Sequence, residues 1–165
     1  LVELSLANRQ HLEDDFLSIN PFGKLPVMKD DSVLDANGQP LILFESGAIL
    51  LHLAEHHGGE VMRPGDRSLI SQWTPLAKSP LAFSIIATKQ KTKSLPRLLT
   101  QLNSELAKGY FINKKWGAAD CAVSSYLAYI KLFFPNEDLS AYPTLERLIQ
   151  DTHGRPAYKK VMGLS

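Results

Sequence analysis

The hydrophobic pattern of this chain changes period once, and that change limits the folds open to it. It falls in EHHGGEVMRPGDRS at 55–68, where Gly58, Gly59, Pro64 and Gly65 interrupt any regular element. Before the break, LVELSL at 1–6 alternates like a strand and the stretch from His11 to Ile19 reads as a helix. A strand through Leu25, Pro26, Val27 and Met28 is followed by Asn37-Gly38, a hairpin turn signal, and by the strand-like LILF at 41–44. A helix opening at Glu45-Ser46 carries Ala48, Ile49, Leu50 and Leu53, and stops at Gly58 as a left-handed terminal residue. The order is strand, helix, hairpin, helix.

After the break only helical spacing remains. Ser94-Leu95-Pro96 reads as an N-cap with an early-turn proline, and Leu98, Leu99, Leu102 and Leu106 then repeat at helical spacing as far as Gly109. A broad apolar helix from Gly117 to about Phe134, with Cys121, Val123, Tyr126, Leu127 and Ile130, ends at Pro135 and is the expected central helix. Leu145, Leu148 and Ile149 mark a third helix that runs to Gly154, and Pro156 starts a short last one. The segment 68–90 also reads as helix, but Pro75 and Pro80 each remove an interior hydrogen bond, so a break or kink is expected. The fold class is therefore α+β in two domains, 1–60 and 67–165, the second all-helical.

Composition narrows the function. A net charge of +1 gives no electrostatic case for nucleic acid, and the basic cluster Lys89, Lys91 and Lys93 reads as a solvated helix face. No apolar run reaches the roughly 20 residues of a membrane span. Cys121 is the single cysteine, so neither an intrachain disulfide nor a thiolate metal cluster can form, and a reducing cytoplasmic setting with no metal is expected.

Pro26 stands inside a strand where a ladder N–H is expected. A cis Leu25–Pro26 bond accounts for it, since X–Pro bonds reach that geometry at about 0.5–1 kcal/mol against roughly 3 for other residues. The Leu25 N–H and C=O then face outward at a sheet edge, able to pair with an extended peptide-like ligand.

NPFGKLPVM at 20–28 followed by FESGAILLHL at 44–53 resembles the glutathione transferase family. GAADCAV at 117–123 is similar to the family's buried-helix capping motif, and YPTLERLIQDTHGRPAY at 142–158 to its terminal pattern. The resemblance implies a thioredoxin-like domain, here without its first strand and helix, followed by an all-helical domain, with LVELSL as the second strand. It implies glutathione as co-substrate, a small apolar electrophile as partner, and a homodimer.

The theta-like pattern of the family puts the glycyl carboxylate on His11 and Lys24, the γ-glutamyl carboxylate on Ser46 at a helix start, and the ammonium on Glu45. Leu25, before Pro26, holds the cysteinyl amide pair through its main chain. The residue types are chemically matched to these groups, with cations and a helix N-terminus for carboxylates and an anion for the ammonium. Read singly, Ser46 is an N-cap, Lys24 a solvated charge and His11 a surface histidine; their combination and spacing carry the resemblance. Trp73, Leu76 and Phe83 are the expected lining for the electrophile.

The family's catalytic Tyr, Ser or Cys lies ahead of the strand matched by LVELSL, so the catalytic residue is unknown; Ser5 and Ser18 lie in the wrong elements. Asp120 is expected to accept from the Gly117 N–H, leaving half of a capping box because Gly117 has no hydroxyl. The alternative reading is a non-catalytic, transferase-like interaction module. Complementary charges at His11, Lys24, Glu45 and Ser46 argue against it, since a scaffold has no use for them.

Overall fold

The computed structural model describes residues 1–87, 94–112 and 114–164. The cluster Lys89, Lys91 and Lys93 lies outside the described residues. The chain forms two compact units, Leu1–His52 and Leu53–Ser165.

In the first unit a 3-10 turn at Gln10–Leu12 and a short helix α1 (Asp14–Ile19) precede an antiparallel hairpin of β1 (Val27–Leu34) and β2 (Pro40–Phe44). The helix expected from His11 onward is thus split at Glu13, whose backbone is extended. Val27 pairs with Phe44, Met28 with Leu43, Lys29 with Ile42 and Asp30 with Leu41, with an irregularity between Asp30 and Leu34. The turn uses the Asn37-Gly38 signal: Gly38 has φ 73°, and the Asp35 carboxylate accepts from the N–H groups of Asn37 and Gln39. Those two backbone bonds, Gln39's first, hold the Asp35 carboxyl below its ordinary value.

LVELSL is not a strand. Alternation alone forms no strand without a ladder partner, and among the described residues β1 and β2 pair only with one another, leaving Leu1 and Val2 exposed.

Helix α2 (Ser46–His56) follows β2 directly. Gly59, not Gly58, takes the left-handed conformation after it, at φ 61°. Gly58 instead donates its N–H to Leu53 O, and Glu60 N–H closes the end on Ala54 O.

Among the described residues every regular element of the second unit is helical, including α3 (Pro64–Leu76), α4 (Leu95–Leu106), α5 (Ala118–Phe133), α6 (Pro143–His153) and α7 (Pro156–Met162). Pro75 is accommodated within α3, but from Ala77 the chain widens into π-helical turns, Ala77–Leu81 and Phe83–Ala87, the first containing Pro80. The wide turn absorbs a residue that cannot donate, so the expected break appears as a change of helix type. Ile70, Ala77, Leu81 and Ile85 from this arm meet Val123, Leu127 and Ile130 of α5, while Leu95, Leu99, Leu102 and Leu106 of α4 lie over α6, which brings Leu145 and Leu148. α5 buries one face as far as Ile130 and exposes Tyr129 and Leu132 on the other. Ser94 precedes α4 but its hydroxyl caps nothing; it lies 3.4 Å from Ser84 Oγ. No helix among the described residues is long and apolar enough to cross a membrane.

The start of α5 completes the half-built box. Asp120 accepts from Gly117 N–H at 3.1 Å and from Phe111 N–H at 3.2 Å, and the Glu60 carboxylate accepts from Ala118 N–H through both oxygens, at 3.2 and 3.0 Å. A Cβ on Gly117 would fall on Glu60 Oε2, so residue 117 carries no side chain because a distant carboxylate fills that space. Burial pushes the Asp120 carboxyl up to about 6, with the neighbouring Glu60 charge adding to the rise and the backbone donors opposing it.

Candidate functional site

The site residues expected in the first unit gather around one end of the hairpin. Asn20 is fully buried and organises the loop that follows it: its side-chain amide donates to Lys24 O at 2.8 Å, its Oδ1 accepts from Phe22 N–H, and its carbonyl accepts from Gly23 N–H. Gly23 has φ 58°, and a Cβ there would meet Leu12 Cδ2 at 2.7 Å and His11 O at 3.1 Å. Only glycine meets both the conformation and the contact, and the close approach brings the backbone of His11 against the loop that bears Lys24.

The Leu25–Pro26 peptide is cis, as the strand proline suggested. Leu25 is 44% exposed, and its N–H and C=O have no partner among the described residues. The pairing of Val27 with Phe44 is the last of the ladder, and Pro26 and Glu45 directly flank it. The Phe22 ring lies 5.4 Å from that of Phe44 and ties the loop to β2.

Glu45 takes the left-handed conformation at φ 73°, where a non-glycine residue is uncommon and marks a constrained site. Its carbonyl accepts from Ile49 N–H, so Glu45 is the N-cap and Ser46 the first helical residue. The Ser46 hydroxyl is therefore not the cap of α2, and it meets no partner among the described residues.

His11 Nδ1 is buried without a hydrogen-bond partner, and Lys24 is exposed with no ion pair among the described residues. The end of the hairpin thus displays an ammonium, a strand-edge amide unit and a hydroxyl beside a helix N-terminus, with an unpartnered ring nitrogen buried next to them. This set can recognise an extended peptide that carries carboxylates.

Three supporting residues, Asn20 and the pair of His52 and Asp30, were not singled out as site residues in the sequence. Asn20 is signalled by the Asn-Pro turn dipeptide. The buried pair His52 Nε2–Asp30 Oδ2, at 2.7 Å, fastens α2 to β1 and thereby fixes where α2 begins; its only local signal is that His52 follows Ile49 at helical spacing on the buried face.

Ser5 and Ser18 are engaged locally. Ser5 Oγ accepts from Asn8 N–H, and the Ser18 hydroxyl donates to Asp15 O.

Phe83 lines an apolar groove with Pro75, Lys78, Ser79, Ala82 and Ile86, whereas the Trp73 ring lies 4.2 Å from Phe111.

Known proteins agree with this architecture over nearly the whole chain. Residues 1–55 match the family model of the glutathione S-transferase N-terminal domain, and residues 80–162 match that of a glutathione S-transferase C-terminal domain. Glutathione S-transferase GstB of Escherichia coli K12 is 28% identical over 169 residues, covering 90% of this chain and 77% of that protein. A glutathione transferase structure from Burkholderia graminis, with two glutathione molecules bound per subunit, has a TM-score of 0.71 at 25% identity, covering 94% of this chain and 73% of that one. Another from Pseudomonas putida, with one glutathione disulfide bound per subunit, has a TM-score of 0.72 at 26% identity, covering 96% and 77%. With a thioredoxin-like unit leading into an all-helical one and both family domains matched in order, the chain belongs to the glutathione transferase family.

Proposed function

We propose that this protein is a glutathione transferase that binds glutathione at the open end of the hairpin and conjugates its thiolate to small apolar electrophiles. The observation that carries the reading is the orphaned, buried Nδ1 of His11, on a residue packed against the loop of Lys24 and Leu25. A buried polar atom without a partner costs free energy unless a ligand supplies one.

In this reading His11 and Lys24 hold the glycyl carboxylate, and the N–H and C=O of Leu25, presented by Pro26, pair with the cysteinyl amides. Ser46 and the first-turn amides of α2 hold the γ-glutamyl carboxylate, and Glu45 faces the ammonium. The thiol loses its proton, its sulfur attacks an electrophilic carbon, and the displaced or opened group leaves with the electron pair. Glutathione is the co-substrate and no metal takes part. The residue that stabilises the thiolate is not named within this chain.

The same reading assigns the glutathione-binding domain to 1–60 and the helical domain to 67–165, with a homodimer in the cytoplasm as the working form. Retention of the protein on glutathione-agarose, elution by free glutathione and turnover of an aryl halide or isothiocyanate test it. A protein that is held but turns over no electrophile in a broad panel removes the enzyme and leaves the binding site. A protein that passes through the column is the non-catalytic interaction module instead.

A further inference from the structure

Within the second unit a cleft of about 630 Å³ opens between the segment that leads into α3, the loop before α5 and the start of α7. Its volume is in the range of small-molecule sites. Four charged groups in it are already committed or fixed in place. Asp66 accepts from Met62 N–H, Arg63 N–H and the Arg63 guanidinium, and Glu60 spends both oxygens on the first turn of α5. Arg63 is thereby tied to Asp66, while the Arg155 guanidinium lies 3.8 Å above the Trp116 ring. The ring is itself held by a bond from its Nε1 to Thr152 Oγ1. The side chains of Arg155 and Lys115 have no hydrogen bond or ion pair among the described residues. Met62, Ile112 and Trp116 add apolar lining to the same cleft.

A guanidinium held over an indole while making no hydrogen bond keeps its N–H fork available for bidentate contact with an oxyanion; a nearby ammonium adds a second charge without demanding geometry. Two uncommitted cations beside an apolar wall match a dianionic head on a small apolar body. We infer that this cleft binds a phosphate monoester, its phosphate held by Arg155 and Lys115 and its ester group against Met62, Ile112 and Trp116. Nothing in it depends on glutathione binding, and none of its residues belongs to the hairpin site.

Phenyl phosphate is the probe, titrated calorimetrically into the whole protein at neutral pH. Following the Trp116 indole signal by NMR locates the site. The expected result is saturable binding that shifts this signal, weakened about tenfold in Arg155→Gln and about threefold in Lys115→Gln. Lys159→Gln removes an exposed charge outside the cleft and leaves the affinity unchanged. Inorganic phosphate, lacking the apolar group, should bind about tenfold more weakly than the ester.

Thermal unfolding checks that the variants are intact. Should Arg155→Gln fail to fold, the exposed Lys115→Gln decides alone. Equal affinity in wild type and Lys115→Gln, an unmoved Trp116 signal, or no binding up to about 10 mM overturns the proposal.

Discussion

Helices α2 and α5 begin with the same problem, a first turn of N–H groups that no helical carbonyl can accept, and they resolve it in opposite ways. At α5 the protein supplies the acceptors: Asp120 from within the turn and Glu60 from 58 residues upstream, with Gly117 cleared to admit the second carboxylate. At α2 no side chain among the described residues is seen to accept from the first turn. Glu45 is bent into a left-handed cap, the Ser46 hydroxyl meets no described residue, and an orphaned His11 nitrogen sits by the neighbouring loop. A helix start closed by its own chain is a joint, and one left open has room for an acceptor from outside. Substitution can tell the two apart, because the first kind should cost stability and the second affinity.

The largest expected effect is at the closed start. Asp120→Ala orphans the buried N–H groups of Gly117 and Phe111, at about 1–3 kcal/mol each. Urea unfolding should show the loss, while the folded fraction still binds glutathione with wild-type affinity. The same residue sets a pH dependence. Its folded carboxyl titrates at about 6, above the unfolded value, so the native state binds the extra proton and gains stability as pH falls from 6 towards 4. Relative to Asp120→Asn, that gain should reach about 2 kcal/mol; identical pH profiles for the two proteins would dispose of the assignment.

Next is Glu60→Ala, which strips the acceptor from Ala118 N–H and should cost about 1–3 kcal/mol in the same assay. Adding Gly117→Ser to it restores a capping hydroxyl in the space that Glu60 has left, and should recover about 1 kcal/mol. In the parent, Gly117→Ser alone should destabilise, because the new side chain displaces the Glu60 carboxylate. Equal effects of Gly117→Ser in the two backgrounds would mean that the carboxylate is not the obstacle.

At the open start the balance inverts. His11→Ala should weaken glutathione binding by about 1.5–3 kcal/mol, the worth of a hydrogen bond to a charged group, and leave the thermal midpoint nearly unmoved. Ser46→Ala should follow the same pattern with a smaller loss, about 1 kcal/mol, since no protein partner is broken. A drop in midpoint without a drop in affinity would make α2 a joint like α5. The smallest effect is expected of Leu25→Ala: the contact assigned to Leu25 is main-chain, so the glutathione dissociation constant should change by less than about threefold.

What was legible beforehand follows the range of the interactions. The hairpin rests on a local turn signal at Asn37-Gly38, and α5 to α7 on apolar spacing and prolines, all within a few residues of where they act. The cis proline could be read from a proline inside a strand pattern, whereas the grouping of Lys24, Leu25, Glu45 and Ser46 was implied by the resemblance of their two motifs to the glutathione transferase family. LVELSL misled because alternation describes a strand's faces and says nothing about its partner. Glu60 on Ala118, Asp30 on His52 and Trp73 on Phe111 escaped notice since each joins residues far apart in sequence, where only the folded chain reveals the pairing. The π turns were foreseen as a defect but not in kind, because proline dictates that a hydrogen bond be lost and not how the backbone redistributes the rest.

The Glu60 contact also bears on how relatives of this chain can be recombined. A chimaera joined anywhere between residues 60 and 117 separates a carboxylate from the glycine that makes room for it. A donor segment with serine at position 117 would then drive a side chain into the Glu60 carboxylate, and a donor with a short side chain at position 60 would leave the Ala118 amide bare beside Gly117. The two positions therefore have to be inherited together, and the useful crossover points for exchanging helical units lie upstream of residue 60.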